Sequence, residues 1–292
     1  MKFKGTGVAL VTPFDNNGAV DETGLRRLVR HQLNNGTSFL VVQGTTGEAA
    51  TLTEAEQDEV LSIVIDENKG QLPVVLGLGG NNTAALKERM ANFEHEGVDA
   101  FLSASPHYNK PSQGGIIAHF KAIAKDAKRP IILYNVPGRT GSNMTASTTI
   151  ELSKEENIIA VKEASGDMSQ VMEIIDGVAP GFSVLSGEDA LTMPIVALGG
   201  NGVISVVANA FPGEFSEMIN AVDENHLDKA RKLHYKLLKV TNQLFEEGNP
   251  SGIKYCLSCL NICEEYLRLP LVGISEGLKH AMQKELKDKG LI

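Results

Sequence analysis

The chain has 292 residues, 42% of them hydrophobic and 22% charged, an ordinary globular balance with length for one large domain or two. Its formal net charge is −9 and it has no long basic run, which argues against a nucleic-acid binder with its basic face. No apolar run approaches the roughly 18 residues of a membrane span. The start, M-K-F-K-G-T-G, has only a short V-A-L-V behind it and does not read as a signal peptide. Three cysteines, an odd number, argue against a disulfide scaffold and suit a reducing compartment, here taken as the cytoplasm.

In chain order, G-V-A-L-V-T-P (7–13) reads as a first strand and 21–35 as its helix. S-F-L-V-V-Q-G (38–44) is a second strand. The helix after it starts at a capping box, Thr53 with Glu56 three residues on, and carries an apolar stripe of Val60, Leu61, Val64 and Ile65. P-V-V-L-G-L-G (73–79) precedes a helix that starts at Asn82 or Thr83 and closes on Gly97. D-A-F-L-S-A-S (99–105), P-I-I-L-Y-N-V (130–136), I-I-A-V-K-E-A (158–164), F-S-V-L-S-G (182–187) and V-I-S-V-V-A (203–208) complete eight strands. Helix patterns at 113–128, 145–156, 167–179, 189–198 and 213–225 fill the remaining slots. After Asn225 the alternation stops. Residues 227–247 form one long helix pattern, and 251–262 and 273–288 are helical too.

Strand–helix alternation implies parallel strands joined by right-handed crossovers. Eight units in roughly 220 residues fit a (β/α)8 TIM barrel, typically about 250 residues long. The competing open doubly wound sheet would carry a Gly-x-Gly-x-x-Gly turn after its first strand, where this chain has T-P-F-D-N-N-G. The expected organisation is a barrel over 1–225 that carries any catalytic site, and a C-terminal helical region over 226–292. That tail is either packed on the barrel or an assembly surface.

Reactive groups of such barrels gather at the C-terminal ends of the strands. Those ends supply Gln43-Gly44-Thr45-Thr46, Pro106-His107-Tyr108, Tyr134 to Arg139, Lys162 and Ser186-Gly187-Glu188. Side chains alternate along a strand. If Ile159 and Val161 face the helices, Lys162 faces the barrel interior with Ala160 and Ala164, which leave room for a long side chain and something attached to it. A desolvated lysine gains a free lone pair, attacks carbonyls and forms Schiff bases. The alternative is a lysine that snorkels its head to water.

Tyr134 is either plain core or a proton-relaying phenol. G-T-T-G-E (44–48) is either a tight turn or a loop whose N–H groups and hydroxyls suit a carboxylate. Arg139, in a turn fixed by proline and glycine, is either a solvated arginine or a bidentate carboxylate clamp. Cys256, Cys259 and Cys263 lie on one helical face and read as buried core thiols rather than metal ligands. No H-x-x-x-H pair occurs, and no metal site is expected. G-G-N-G (199–202) precedes the eighth strand, the wrong end for a phosphate loop, so a phosphorylated substrate is disfavoured.

G-T-T-G-E (44–48), H-Y-N-K-P-S-Q-G (107–114), Y-N-V-P-G-R-T-G (134–141), V-K-E-A-S-G-D (161–167), L-S-G-E-D (185–189) and G-G-N-G-V-I-S-V-V-A-N (199–209) together resemble the dihydrodipicolinate synthase (4-hydroxy-tetrahydrodipicolinate synthase) family, in order along the chain. The resemblance implies a lyase that joins pyruvate, as a lysine Schiff base, to L-aspartate 4-semialdehyde in lysine and diaminopimelate synthesis. It needs no cofactor beyond that imine.

By this resemblance Lys162 is the Schiff-base residue and Tyr134 the proton donor and acceptor. Thr45 and Tyr108 complete the relay, with Tyr108 reaching in from a neighbouring subunit. Thr46 and the backbone of Ile204 hold pyruvate, Arg139 holds the semialdehyde carboxylate, and Gly187 lies against the substrate. A homo-oligomer, usually a tetramer of two tight dimers, is implied. N-acetylneuraminate lyases and other pyruvate aldolases share the chemistry, but those lyases usually show G-S-T-G-E and lack the arginine of P-G-R-T-G. A barrel that serves only in binding or regulation is the remaining alternative, and the presence of every relay residue counts against it.

The chain departs from lysine-inhibited members of the family at their regulatory site. Asn81 is kept, but Ala85, Glu54 or Gln57, and His107 stand where those members have a glutamate, a histidine and a tyrosine. Without the carboxylate that pairs with the lysine amine, feedback inhibition is expected to be weak or absent.

Overall fold

A computed structural model describes residues 3–292, leaving Met1 and Lys2 of the basic start outside the description. Each apolar run forms a strand of one closed parallel barrel: β1 Gly5–Ala9, β2 Phe39–Val42, β3 Val74–Gly77, β4 Ala100–Ala104, β5 Ile131–Asn135, β6 Ile158–Glu163, β7 Ser183–Ser186 and β8 Gly202–Ser205. They pair in sequence order, and β1 closes against β8 through Gly5↔Gly202 and Gly7↔Ile204. Between and after them lie α1 Glu22–Leu33, α2 Glu54–Asn68, α3 Thr83–Ala91, α4 Gln113–Ala124, the four-residue α5 Pro137–Thr140, α6 Ala146–Leu152, α7 Met168–Gly177, α8 Thr192–Ala197 and α9 Pro212–Asp223. The tail supplies α10 Leu227–Glu246, α11 Ser251–Cys259 and α12 Glu276–Asp288.

Two apolar layers follow from strand alternation. An inner cluster includes Phe39, Val41, Leu102, Ile132, Leu185 and Ile204. An outer one, between strands and helices, includes Leu40, Phe101, Ile131, Leu133, Val161 and Val184. The expected alternation fails at one residue. Ile159 packs on the inner cluster, not on the helices, and Ile158 joins the outer one. The β5–β6 register explains this: Ile131 pairs with Ile158 but Ile132 pairs with Ala160, so Ile159 is an extra, bulged residue. From Ala160 onward the alternation holds.

Short polar residues at the strand exits start the helices by accepting orphan N–H groups. Asp21 accepts from Gly24 N–H at 2.9 Å, and the Thr53/Glu56 capping box forms as the sequence predicts. The helix expected to reach Gly97 instead ends at Ala91, and Phe93 beyond it packs edge-on against Phe101 at 5.0 Å. Burying that ring outweighs further helix in a segment with no apolar stripe. Cys256 and Cys263 are buried and Cys259 half-buried. Cys263 lies beyond the end of α11, so the three do not share one helical face. Burial pushes the Cys263 thiol up to about 12.

Helix α10 packs along α9, and α11 and α12 pack on α10. Inside this join the fully buried Lys254 of α11 donates to Glu48 Oε1 at 2.5 Å and to the Tyr266 carbonyl at 2.8 Å. Its ammonium lies 4.2 Å from the Phe14 ring centroid. Among the described residues no helix is long and apolar enough to cross a membrane.

Candidate active site

Lys162 and Tyr134 are direct cross-strand partners on β6 and β5. Both face the inside of the barrel at its C-terminal end, only 6% and 7% exposed, so Lys162 does not snorkel to water. Its Nζ lies 4.4 Å from the Tyr134 ring centroid. It makes no hydrogen bond or ion pair with a described residue. Ala160 and Ala164 lie on the same face in the inner cluster, and Ala164 lines the larger of two cavities that meet here. Glu163 points the other way into a buried polar knot, where it accepts from Asn135 Nδ2 at 2.9 Å and the Ser165 N–H at 2.8 Å. Burial pushes the Glu163 carboxyl above the usual range against those hydrogen bonds.

The loop after β2 brings Thr45 and Thr46 to the same mouth. Thr45–Gly47 is one turn of 3-10 helix, and Glu48 closes it in the left-handed region at φ 52. Thr12 Oγ1 donates to the Gly47 carbonyl at 2.7 Å, and a Cβ on Gly47 would stand 3.1 Å from the Leu10 carbonyl oxygen. Thr46 is buried, its Oγ1 accepting from Asn249 Nδ2 at 2.9 Å, while Thr45 is exposed at the rim. Glu48 does not serve the mouth at all. Its carboxylate turns away to the buried Lys254.

Two cavities meet at Lys162, Tyr134 and Thr45. The larger, of about 400 Å³, is also lined by Thr46, Arg139, Gly187, Glu188, Phe245 and Asn249. The smaller, of about 270 Å³, runs past Gly44, Ala49, Ala50, Gly77 and Gly79 to Gln57 and Arg89. Arg139 is carried on α5 with its side chain exposed over the larger cavity. The Gly187 N–H donates to the Glu163 carbonyl at 2.7 Å, and a Cβ there would stand 2.6 Å from Ala164 Cβ, so only glycine lets this loop close on β6. Ile204, on β8, is buried in the inner layer.

Not every expected residue reaches this place within one chain. Tyr108 is 89% exposed, sits at φ 67 and lines neither cavity. Its N–H donates to the Thr140 carbonyl at 3.1 Å, which ties its loop to that of Arg139. Asn81 and His107 are brought together: Asn81 Nδ2 donates to the His107 carbonyl at 2.7 Å and the His107 N–H donates back to Asn81 Oδ1 at 2.9 Å. Gln57 lies on the smaller cavity and accepts from Arg89 Nη2 at 3.1 Å. Phe245 and Asn249, from the helical tail, were not foreseen as part of the site. The turn signal G-N-P at 248–250 marks the place but not the contact.

A model of the dihydrodipicolinate synthetase family matches residues 2–289. The chain belongs to the dihydrodipicolinate synthetase family. The 4-hydroxy-tetrahydrodipicolinate synthase of Parabacteroides distasonis is 49% identical to it over 273 residues, 93% of this chain and 92% of that one. The crystal structure of dihydrodipicolinate synthase from Thermotoga maritima superposes with a TM-score of 0.97 at 37% identity, covering 100% of both chains. A structure of the enzyme from Cyanidioschyzon merolae, with lysine bound, is 39% identical with a TM-score of 0.95 and covers 100% of this chain and 99% of that one. The family's barrel is therefore the frame in which Lys162, Tyr134, Thr46 and Arg139 share one mouth.

Proposed function

We propose that this mouth condenses pyruvate with L-aspartate 4-semialdehyde to give 4-hydroxy-tetrahydrodipicolinate, a lyase reaction of lysine and diaminopimelate synthesis, and that Lys162 carries pyruvate through it. The amine of Lys162 adds to the pyruvate carbonyl carbon, and loss of water leaves the imine. Removal of a methyl proton turns the imine into an enamine, whose carbon attacks the aldehyde of the second substrate. The new oxyanion takes up a proton. Attack of the substrate's own amine on the imine carbon then closes the ring and frees Lys162.

Tyr134 is the group we assign to these proton transfers, with Thr45 beside it and Tyr108 from a second copy. A phenol needs partners to move protons near neutral pH. The smaller cavity, with its small lining residues, leaves space next to Thr45 and Tyr134 for such a visiting ring. Thr46 and the Ile204 backbone would hold the pyruvate carboxylate, with Gly187 against the substrate and Arg139 offering a fork to the semialdehyde carboxylate. Dependence on Tyr108 implies at least a dimer, and we infer a tetramer of two dimers. We place the reaction in the cytoplasm, with no cofactor besides the imine, and assign the barrel to 1–225 with the helical region at 226–292.

One observation carries this reading: a buried lysine, free of any carboxylate partner, stands across the strand pair from a buried tyrosine at an open cavity. Borohydride added with pyruvate is expected to trap an adduct on the peptide that carries Lys162, and the chain is expected to turn over pyruvate with aspartate semialdehyde but not to cleave N-acetylneuraminate. An unlabelled Lys162, or cleavage of the sugar acid in place of condensation, refutes it.

A further inference from the structure

The buried polar knot behind Lys162 takes no part in the steps proposed above. Glu163 and Asn135 pair across β6 and β5, one residue beyond Lys162 and Tyr134 and on the opposite side of the sheet. Both are sealed from water, at 1% and 0% exposed. The carboxylate of Glu163 is met by donors. Asn135 Nδ2 donates to its Oε2 at 2.9 Å and to its Oε1 at 3.2 Å, the Ser165 N–H to Oε1 at 2.8 Å, and Gln170 Nε2 to Oε2 at 3.4 Å.

An ionised carboxylate only accepts, whereas a side-chain amide has one end of each kind. Glu163 therefore decides which way the amides around it point. With Asn135 Nδ2 turned to the carboxylate, Asn135 Oδ1 faces away from it and accepts the Met144 N–H at 2.9 Å. With Gln170 Nε2 turned the same way, Gln170 Oε1 accepts from Asn143 Nδ2 at 2.7 Å. Asn143 Oδ1 then accepts from Asn135 Nδ2 at 2.8 Å. The anion thus sets the amides of Asn135, Gln170 and Asn143 in one consistent sense, and a network satisfied in this way is rigid.

What these amides hold is the loop of Arg139. Asn135 ends β5, and Met144 follows nine residues later, so the bond between them closes the neck of a loop that contains α5. Gln113 Nε2, from α4, adds a bond to the Asn143 carbonyl at 2.8 Å. The Tyr108 loop hangs on the same turn through the Thr140 carbonyl. Lys162 and Tyr134 are kept opposite each other by the strand ladder itself, but the far side of the neck lies outside that ladder. We propose that Glu163 is a positioning residue: by orienting Asn135 and its neighbouring amides it fixes the Arg139 loop at its neck, and so serves capture of the aldehyde substrate's carboxylate and not the chemistry of pyruvate. This rests on the function proposed above.

Glu163→Gln tests it. The change replaces one acceptor oxygen with an NH2 group that must face a donor. Pairing is restored only by turning an amide over, and a turned Asn135 opens the neck at Met144. KM for aspartate semialdehyde is expected to rise about 10-fold, roughly the worth of one hydrogen bond to a charged group. KM for pyruvate and the rate of borohydride trapping on Lys162 should stay within about twofold. Glu163→Asp keeps an acceptor-only end and should recover part of the loss. In an Arg139→Ala background, Glu163→Gln should change kcat/KM for the aldehyde by less than about twofold, because the group it positions is gone. A general structural role would instead add its loss in full to that of Arg139→Ala. Full additivity, an equal loss for pyruvate, or an unchanged KM for the aldehyde overturns the assignment while leaving the reaction in place. Should far-UV circular dichroism show Glu163→Gln unfolded, Asn135→Ser, which opens the same neck, is read by the same outcomes. Wild-type protein that traps pyruvate but does not use aspartate semialdehyde overturns the proposed function itself, and this assignment with it.

Discussion

Replacing Lys254 with Met keeps the length and most of the volume of the side chain but removes its charge. The change strips Glu48 Oε1 of its 2.5 Å partner, leaving the carboxylate with the Arg268 N–H on Oε2 at 3.2 Å. The Tyr266 carbonyl loses its donor, and the Phe14 ring loses one of its two cations, keeping the Arg268 guanidinium at 4.4 Å. The Arg268 guanidinium cannot swing in as a substitute, because it already binds the Gly18 and Thr51 carbonyls and both oxygens of Glu56. Both members of the Lys254–Glu48 pair are 0% exposed, so water cannot take over either. Breaking a buried pair from one side costs about 3–5 kcal/mol. Adding Glu48→Gln to Lys254→Met neutralises the stranded charge, so the double variant should be more stable than the sum of the singles by about 2 kcal/mol or more. The chain has no tryptophan, so far-UV circular dichroism in urea is the suitable probe, at one fixed protein concentration. A single Lys254→Met cost below about 1 kcal/mol, or strictly additive costs, refutes the claim that this pair fastens the tail to the barrel.

Gly187→Ala should both destabilise and impair. Its Cβ would meet Ala164 Cβ at 2.6 Å, an overpacking worth about 1–3 kcal/mol, and the loop would be pushed into the cavity. Wild-type stability and kcat/KM would show that the loop yields freely. Glu56 predicts part of the acid behaviour: the Arg268 guanidinium, helped by the Thr53 N–H, holds its carboxyl at about 2 against an ordinary 4.5. A depressed carboxyl pKa contributes stability above the unfolded value, and the contribution drains away as pH falls from about 4.5 towards about 2. Glu56→Gln should therefore flatten the loss of stability over that window, and an unchanged slope in acid titrations would remove Glu56 from it. Sub-millimolar lysine should leave the condensation rate unchanged, because Ala85 offers no carboxylate and the Asn81 amide is already spent on the His107 backbone. Clear inhibition in a steady-state assay would show a lysine site built from other groups.

The barrel was legible because its signals are local. Each apolar run is followed by a helical stripe, and short capping residues such as Thr53 and Asp21 mark where one becomes the other. The inward aim of Lys162 was legible from its small neighbours Ala160 and Ala164. The bulge at Ile159 was not, because it depends on how β6 registers against β5 and not on anything within β6. The early stop of α3 was hidden for a similar reason: Phe93 leaves the helix to meet Phe101, a partner on another strand. The tail's share of the site lay further out of reach. Asn249 meets Thr46 across 203 residues of chain and Lys254 meets Glu48 across 206.

The two buried lysines differ in what surrounds the nitrogen, and the proposed function rests on that difference. Lys254 sits on a helix, and its ammonium is enclosed by the Glu48 carboxylate, a backbone carbonyl and an aromatic ring, so every N–H direction is used. Lys162 is almost as buried, but its nitrogen lies 4.4 Å from the Tyr134 ring centroid and makes no hydrogen bond or ion pair with a described residue. An ammonium tied to a carboxylate would have to leave its ion pair before it could react, while a lysine without such a partner at the edge of a cavity has room for a carbonyl. Burial alone would rank Lys254 the more unusual residue. The absence of an ion pair to a described residue, and the polar groups of Thr46 and Arg139 that share its cavity, are what support assigning the proposed Schiff base to Lys162.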